Sequence, residues 1–122
     1  GGSLIVQDVT VPEDERSARY IDSFFRLRDP SHNRCYAEYE WRGMFLDAGL
    51  TVAHTETIAH QIALLPWAEQ QACSDYVIER LHILLQQAPQ AVREWMQPQC
   101  IGTADATFQQ AHVIIVGRKD LP

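Results

Sequence analysis

The segment RLRDPSHNRCY, Arg26 to Tyr36, brings together side chains that could do chemistry: Asp29, His32 and Arg34. An imidazole can take up a proton near neutral pH, and a guanidinium can hold an anionic group through paired donors. The residues leave two readings open. In one, Pro30 fixes a turn, Asp29 and Ser31 bond the local backbone, and Arg34 pairs with a nearby acid. In the other, the segment is a lid over a binding pocket, with His32 as general base and Asp29 and Arg34 orienting it or its substrate. One histidine and one carboxylate make an incomplete ligand set, so no metal is expected here.

The other candidates are weaker. His54 and His60 share strand parity, but six residues at ~3.3 Å each set them roughly 20 Å apart, beyond the reach of one ion. His112 reads as a core-edge histidine with a hydrogen-bond partner, and His82 as a residue on the polar side of a helix. Tyr20, Phe24, Trp67 and Phe108 could line an apolar ligand pocket, and each could equally be core. Trp41, Phe45 and Trp95 are expected in the core. Cys35, Cys73 and Cys100 are widely spaced, with no Cys-x-x-Cys pair. They read as reduced thiols of a cytoplasmic protein, and a zinc site is not expected from that spacing.

These residues need elements to position them. A chain of 122 residues, 46% hydrophobic, suits a single domain. Ten Lys and Arg against sixteen Asp and Glu give a net charge of −6. With no basic run, neither nucleic acid nor an anionic membrane is an expected partner. No apolar stretch is long enough to span a bilayer, and no cleavable signal is apparent.

LIVQDV, Leu4 to Val9, is apolar on both parities apart from Gln7 and Asp8, as in a strand covered on both faces. Pro12 and the acidic run at 13–15 open a helix with Tyr20, Phe24 and Leu27 on one face, and Asp29-Pro30 ends it. A second helix, Tyr36 to Ala48, carries the stripe Trp41, Met44, Phe45 and Ala48 and stops at Gly49. Thr51 to Leu64 is rich in Thr, Val and Ile without a helical stripe and reads as a long strand. A helical block follows from Pro66 to Gln97, divided by Pro89. Thr107 to Lys119 is the last strand.

A Gly-Gly pair before LIVQDV, the DPSHNR turn, EWRGMFLDAGL and the final HVIIVGRK together resemble the C-terminal part of a class I S-adenosylmethionine-dependent methyltransferase, in the group of the ubiquinone and menaquinone methyltransferases. The resemblance implies an α/β fold, α+β as a fragment, with the last strand antiparallel between the other two. The result is a three-stranded mixed sheet ordered 1-3-2. It implies that residues 66–97 form a helical cap within the one domain, and that the complete enzyme transfers a methyl group to a small-molecule acceptor. His32 would then be the base, with Asp29, Arg34, Tyr20, Phe24, Trp67 and Phe108 facing the acceptor.

The departures bear on the cofactor. That family binds S-adenosylmethionine through a glycine-rich loop after its first strand. The six glycines here, at 1, 2, 43, 49, 102 and 117, form no GxG. The cofactor is therefore expected only in a longer enzyme, and this chain alone is expected inactive. Ala37 stands where the family has a Ser or Thr capping the second helix, at a cost of about 1 kcal/mol. The alternatives are a stand-alone binding or interaction module, or a small isomerase or hydratase using Asp29 and His32. In a three-stranded sheet ordered 1-3-2, Leu4 to Val9 lies at an edge, an open template for a missing N-terminal half or a second copy. A homodimer is expected.

Overall fold

The computed structural model describes residues 2–119. The Gly1-Gly2 reading falls partly on Gly1, outside the described residues. The order is β1 (Ser3–Val9), α1 (Glu15–Arg28), α2 (Glu38–Asp47), β2 (Thr51–Ala63), α3 (Leu64–Glu69), α4 (Asp75–Gln86), α5 (Gln90–Met96) and β3 (Thr107–Arg118). The strands form one sheet ordered β1-β3-β2, and β3 is antiparallel to both neighbours, so β1 and β2 run the same way. This is the expected α/β architecture, with three helices between β2 and β3.

α1 starts where the sequence places it. Asp14 caps it by accepting from Ser17 N at 3.1 Å and Ser17 Oγ at 2.6 Å, which lowers the Asp14 pKa. Arg26 and Arg28 occupy the last turn, and the chain leaves at Asp29. α2 lacks a side-chain cap at Ala37, but Glu40 Oε1 accepts from Ala37 N at 3.1 Å, the remaining half of a capping box. Gly49 closes α2 at φ +80, where a Cβ would be strained, and Leu50 N–H reaches back to Phe45 O at 2.9 Å.

Directly paired residues of an antiparallel sheet share a face. One face carries Val9, Phe108, Ile62 and, farther along, Ile5, Val116 and His54. Its Phe108 end lies under α1 and the three later helices. There Phe24 stacks on Trp67 at 5.4 Å, and Phe108 meets both rings edge-on, 5.2 Å from Phe24 and 4.9 Å from Trp67. Ile21, Leu64, Leu81, Leu85, Val92 and Met96 complete this core. The other face carries the buried Ala111, Val113, Ile115 and Gly117, with α2 against β2 and β3.

Three expectations need correction. β1 has an interior strand's composition, yet Ile5 is 67% and Leu4 47% exposed, because no described helix covers this end of the strand. Of the α2 stripe only Phe45 is buried; Trp41 is half-buried and Met44 exposed, because the helix meets the sheet chiefly through Phe45 at Gly117. Trp41 and Trp95 are therefore not core residues: Trp41 packs edge-on against Tyr36 at 5.8 Å, and Trp95 lies at the core margin.

Candidate active-site cleft

The turn after α1 contains both kinds of chemistry the sequence left open, on different residues. Asp29 Oδ1 accepts from Ser31 N at 3.0 Å and Ser31 Oγ at 2.6 Å, and these bonds hold its carboxyl below the usual carboxylate range. Arg34 grips Glu40 with both terminal nitrogens, at 3.2 and 2.6 Å, and stacks on Tyr36 at 4.3 Å. That ion pair raises the Arg34 pKa and lowers that of Glu40. Asp29 and Arg34 thus shape the turn and anchor the start of α2.

His32 differs. Its Nε2 lies 3.0 Å from Oδ1 of Asp22, a buried acid on α1. The same oxygen accepts Cys35 N–H at 2.8 Å, so Asp22 ties both ends of the turn to the helix. The imidazole also meets Phe25 edge-on at 5.5 Å. A carboxylate only accepts, so a neutral His32 donates from Nε2 and keeps Nδ1 unprotonated. Cys35 Sγ sits 3.8 Å from the same Nε2. Burial and the adjacent Asp22 carboxylate push its thiol up to about 12, so it is not a nucleophile in this state.

His32 borders a cleft of about 160 Å³ whose other walls are Val9, Phe25, Arg28, Asp29, Trp67 and Gln110. Three residues singled out from the sequence meet here: His32, Asp29 and Trp67. Phe24 and Phe108 stand behind the wall, fully buried. Tyr20 is elsewhere, with its hydroxyl donating to Leu84 O at 2.6 Å, and Arg34 is not among the cleft residues.

The sequence reading missed Asp22, Arg28 and Gln110. Asp22 had a signal, a carboxylate between Ile21 and Phe24 on the apolar side of an amphipathic helix. Arg28 stands in the last turn of α1. It donates Nε–H to Trp67 O at 2.8 Å, lies 4.3 Å over the Trp67 ring, and has its pKa lowered by burial. A larger groove of about 360 Å³ lies between α2, β2 and α5. Of its three charged residues, Glu13, Glu38 and Arg42, the last two bond each other and Thr55, and it holds no histidine or thiol, so the His32 cleft is the better candidate. The remaining histidines make local contacts. His82 Nδ1 accepts Gly102 N–H at 3.0 Å, His54 approaches Glu56 at 3.3 Å, and His60 packs edge-on against His112 at 5.0 Å.

No family model matches the chain. It is 30% identical over 114 residues to the uncharacterized protein YafE of Escherichia coli, covering 92% of this chain and 55% of that one. A structure described as that of a candidate methyltransferase from Bacillus halodurans superposes with a TM-score of 0.89, covering 99% of this chain and 57% of that one at 17% identity. YcgJ from Bacillus subtilis gives a TM-score of 0.81 over 99% of this chain and 52% of its own, at 22% identity. The chain thus spans a little over half the length of the proteins it matches, and its fold is methyltransferase-like.

Proposed function

We propose that this chain is the acceptor-side, C-terminal part of an S-adenosylmethionine-dependent methyltransferase acting on a small molecule, and that the His32 cleft receives the acceptor. The supporting observation is the superposition over 99% of the chain, combined with a cleft that has a base at its rim. Phe25 and Trp67 give the acceptor an apolar wall, and Arg28 and Gln110 give it polar contacts. His32 takes a proton from the acceptor at Nδ1, while Asp22 holds the imidazole from Nε2. Residues 66–97 act as a cap, with Trp67 reaching the cleft. An isomerase pairing Asp29 with His32 is less well supported, since the Asp29 carboxylate is held by Ser31 and the acid at the imidazole is Asp22.

The residues here do not fit the cofactor. Gly43 lies within α2, Gly49 caps it, Gly102 sits in the loop before β3 and Gly117 lies under Phe45 in β3. None stands in a tight turn between a strand and the start of a helix, where backbone N–H groups could meet a ligand. Calorimetric titration of this chain with S-adenosylmethionine should give no heat of binding, whereas a protein extended upstream of Gly1 should bind it. Micromolar one-to-one binding by the short chain would overturn the assignment. In the extended protein, His32→Ala should lower turnover by roughly 10²–10⁴-fold. An unchanged rate with a lowered Tm would reduce His32 to a turn residue.

The outer edge of β1 is the proposed joint. A long, apolar, unpaired edge invites another strand, and β1 has no lysine or proline within it to discourage one. In the complete enzyme the partner is the missing half; for the chain alone it is a second copy. Light scattering at tens of micromolar should give a homodimer, and Ile5→Lys should shift it to monomer. A clean wild-type monomer would remove the proposal.

A further inference from the structure

The contacts around His32 contain more than a positioned base. Asp22, His32 and Cys35 each offer one ligand atom, and these atoms all lie within 4.8 Å of one another. The sequence hides the cluster, because Asp22 lies inside α1 and only the turn brings His32 and Cys35 back to it.

We propose that Asp22, His32 and Cys35 form a binding site for a thiophilic divalent cation, zinc first among them. A four-coordinate zinc holds nitrogen, oxygen and sulfur at ~2.0–2.3 Å, so its ligands stand roughly 3.2–3.8 Å apart. Nε2 is 3.0 Å from Asp22 Oδ1 and 3.8 Å from Cys35 Sγ, so small side-chain shifts would admit an ion. The donor set selects the metal: magnesium and calcium take oxygen ligands, whereas imidazole with thiolate suits zinc. Carboxylate and thiolate together also balance a divalent charge in a place where Asp22 and Cys35 are both buried.

The surroundings suit a metal as well. Cys35 N–H fixes the Asp22 carboxylate at 2.8 Å, and the Phe25 ring steadies the imidazole, the kind of outer support that ligands need. Of the three ligand residues only His32 lines the cleft, and with its side chain 22% exposed, solvent reaches the edge of the cluster. Of the nearby cations, Arg34 is neutralised by Glu40, and Arg28 is turned onto Trp67 O.

On binding, the Cys35 S–H bond breaks, a sulfur–metal bond forms, and one proton leaves to solvent. As the Nε2–metal bond forms, the Nε2–H bond breaks and its proton is passed through solvent to Nδ1, so the imidazole stays neutral and releases no net proton. The empty site therefore presents a proton acceptor to the cleft and the loaded site a donor. Metal binding itself does not depend on His32 being a catalytic base.

The test uses this chain, stripped with a chelator and titrated with cobalt(II). One ion per chain should bind with a thiolate-to-cobalt charge-transfer band and the intense visible bands of tetrahedral cobalt, and zinc should displace it. Cys35→Ser should abolish the charge-transfer band, and His32→Gln should weaken binding about tenfold or more. Cys73→Ala and Cys100→Ala should leave the spectrum unchanged. The weak spectrum of octahedral cobalt in the wild-type chain would overturn the site without any variant having to fold. So would a charge-transfer band that survives Cys35→Ser and is lost in Cys100→Ala. A failure of methyl transfer in the extended protein would leave this result unaffected.

Discussion

One face of the sheet ends in two different ways. At the Phe108 end, Val9, Phe108 and Ile62 lie beneath α1 and the later helices, and Phe24, Trp67 and Phe108 form one aromatic cluster. At the other end the same face carries Ile5, Val116 and His54, with Ile5 67% exposed. Composition does not separate them, since both ends are β-branched or aromatic. The difference is that, among the described residues, helices cover only one end. The closed end can stand on its own, while the open end has the character of a surface that another strand or helix completes.

Substitutions on the closed core and on the open face should differ most. Phe24→Ala should cost about 3–5 kcal/mol in urea denaturation, while Ile5→Thr in the monomeric protein should stay within about 0.5 kcal/mol. Equal losses would mean that both ends are equally packed. The opposite face supplies the next effect. A Cβ on Gly117 would come within 2.5 Å of Phe45 Cδ2 and 2.7 Å of Cε2, so Gly117→Ala should cost about 1–3 kcal/mol. If instead it stabilises the protein, α2 is held more loosely than the close approach implies.

A smaller effect follows from pH at the middle of the first face. Burial, and then His60, lowers the His112 pKa below 6.5. The unfolded chain therefore binds that proton first, and stability falls as the pH drops below 6.5. His112→Gln should flatten this part of the Tm–pH curve. A profile identical to wild type would show that His112 is solvated in both states. Smallest is Arg34→Ala. The pair with Glu40 is partly exposed and screened by solvent, so Tm should fall only slightly. A larger loss would make the turn, rather than the aromatic cluster, a main support of α2.

Legibility followed the range of the interactions. α1 could be read to within a few residues because its period, its acidic first turn and Asp29-Pro30 are all local. The helical block starts at Leu64 rather than Pro66, a boundary shift within the fraying of any helix start. The α2 stripe had the right period, but periodicity cannot say how much of a face a neighbour will cover, and only Phe45 is buried. In the site, the turn residues were visible by type, yet their partners were not. Asp29 pairs with Ser31 and Arg34 with Glu40, whereas His32 pairs with Asp22, an acid inside α1.

Local residue patterns gave the strands, the first two helices and their order, because these depend on dihedral preferences and contacts a few residues apart, but not the break between α3 and α4. The sequence also contains no GxG, the spacing on which a glycine-rich cofactor loop is built. Tertiary structure alone decided which side chains meet. Cys35 N–H reaches Asp22 across thirteen positions, Arg28 reaches Trp67 across thirty-nine, and Tyr20 reaches Leu84 across sixty-four. Such contacts come from how α1 lies across the sheet and how the turn folds back on it. No local propensity encodes that distance, which is why the chemistry around His32 emerges only in the folded chain.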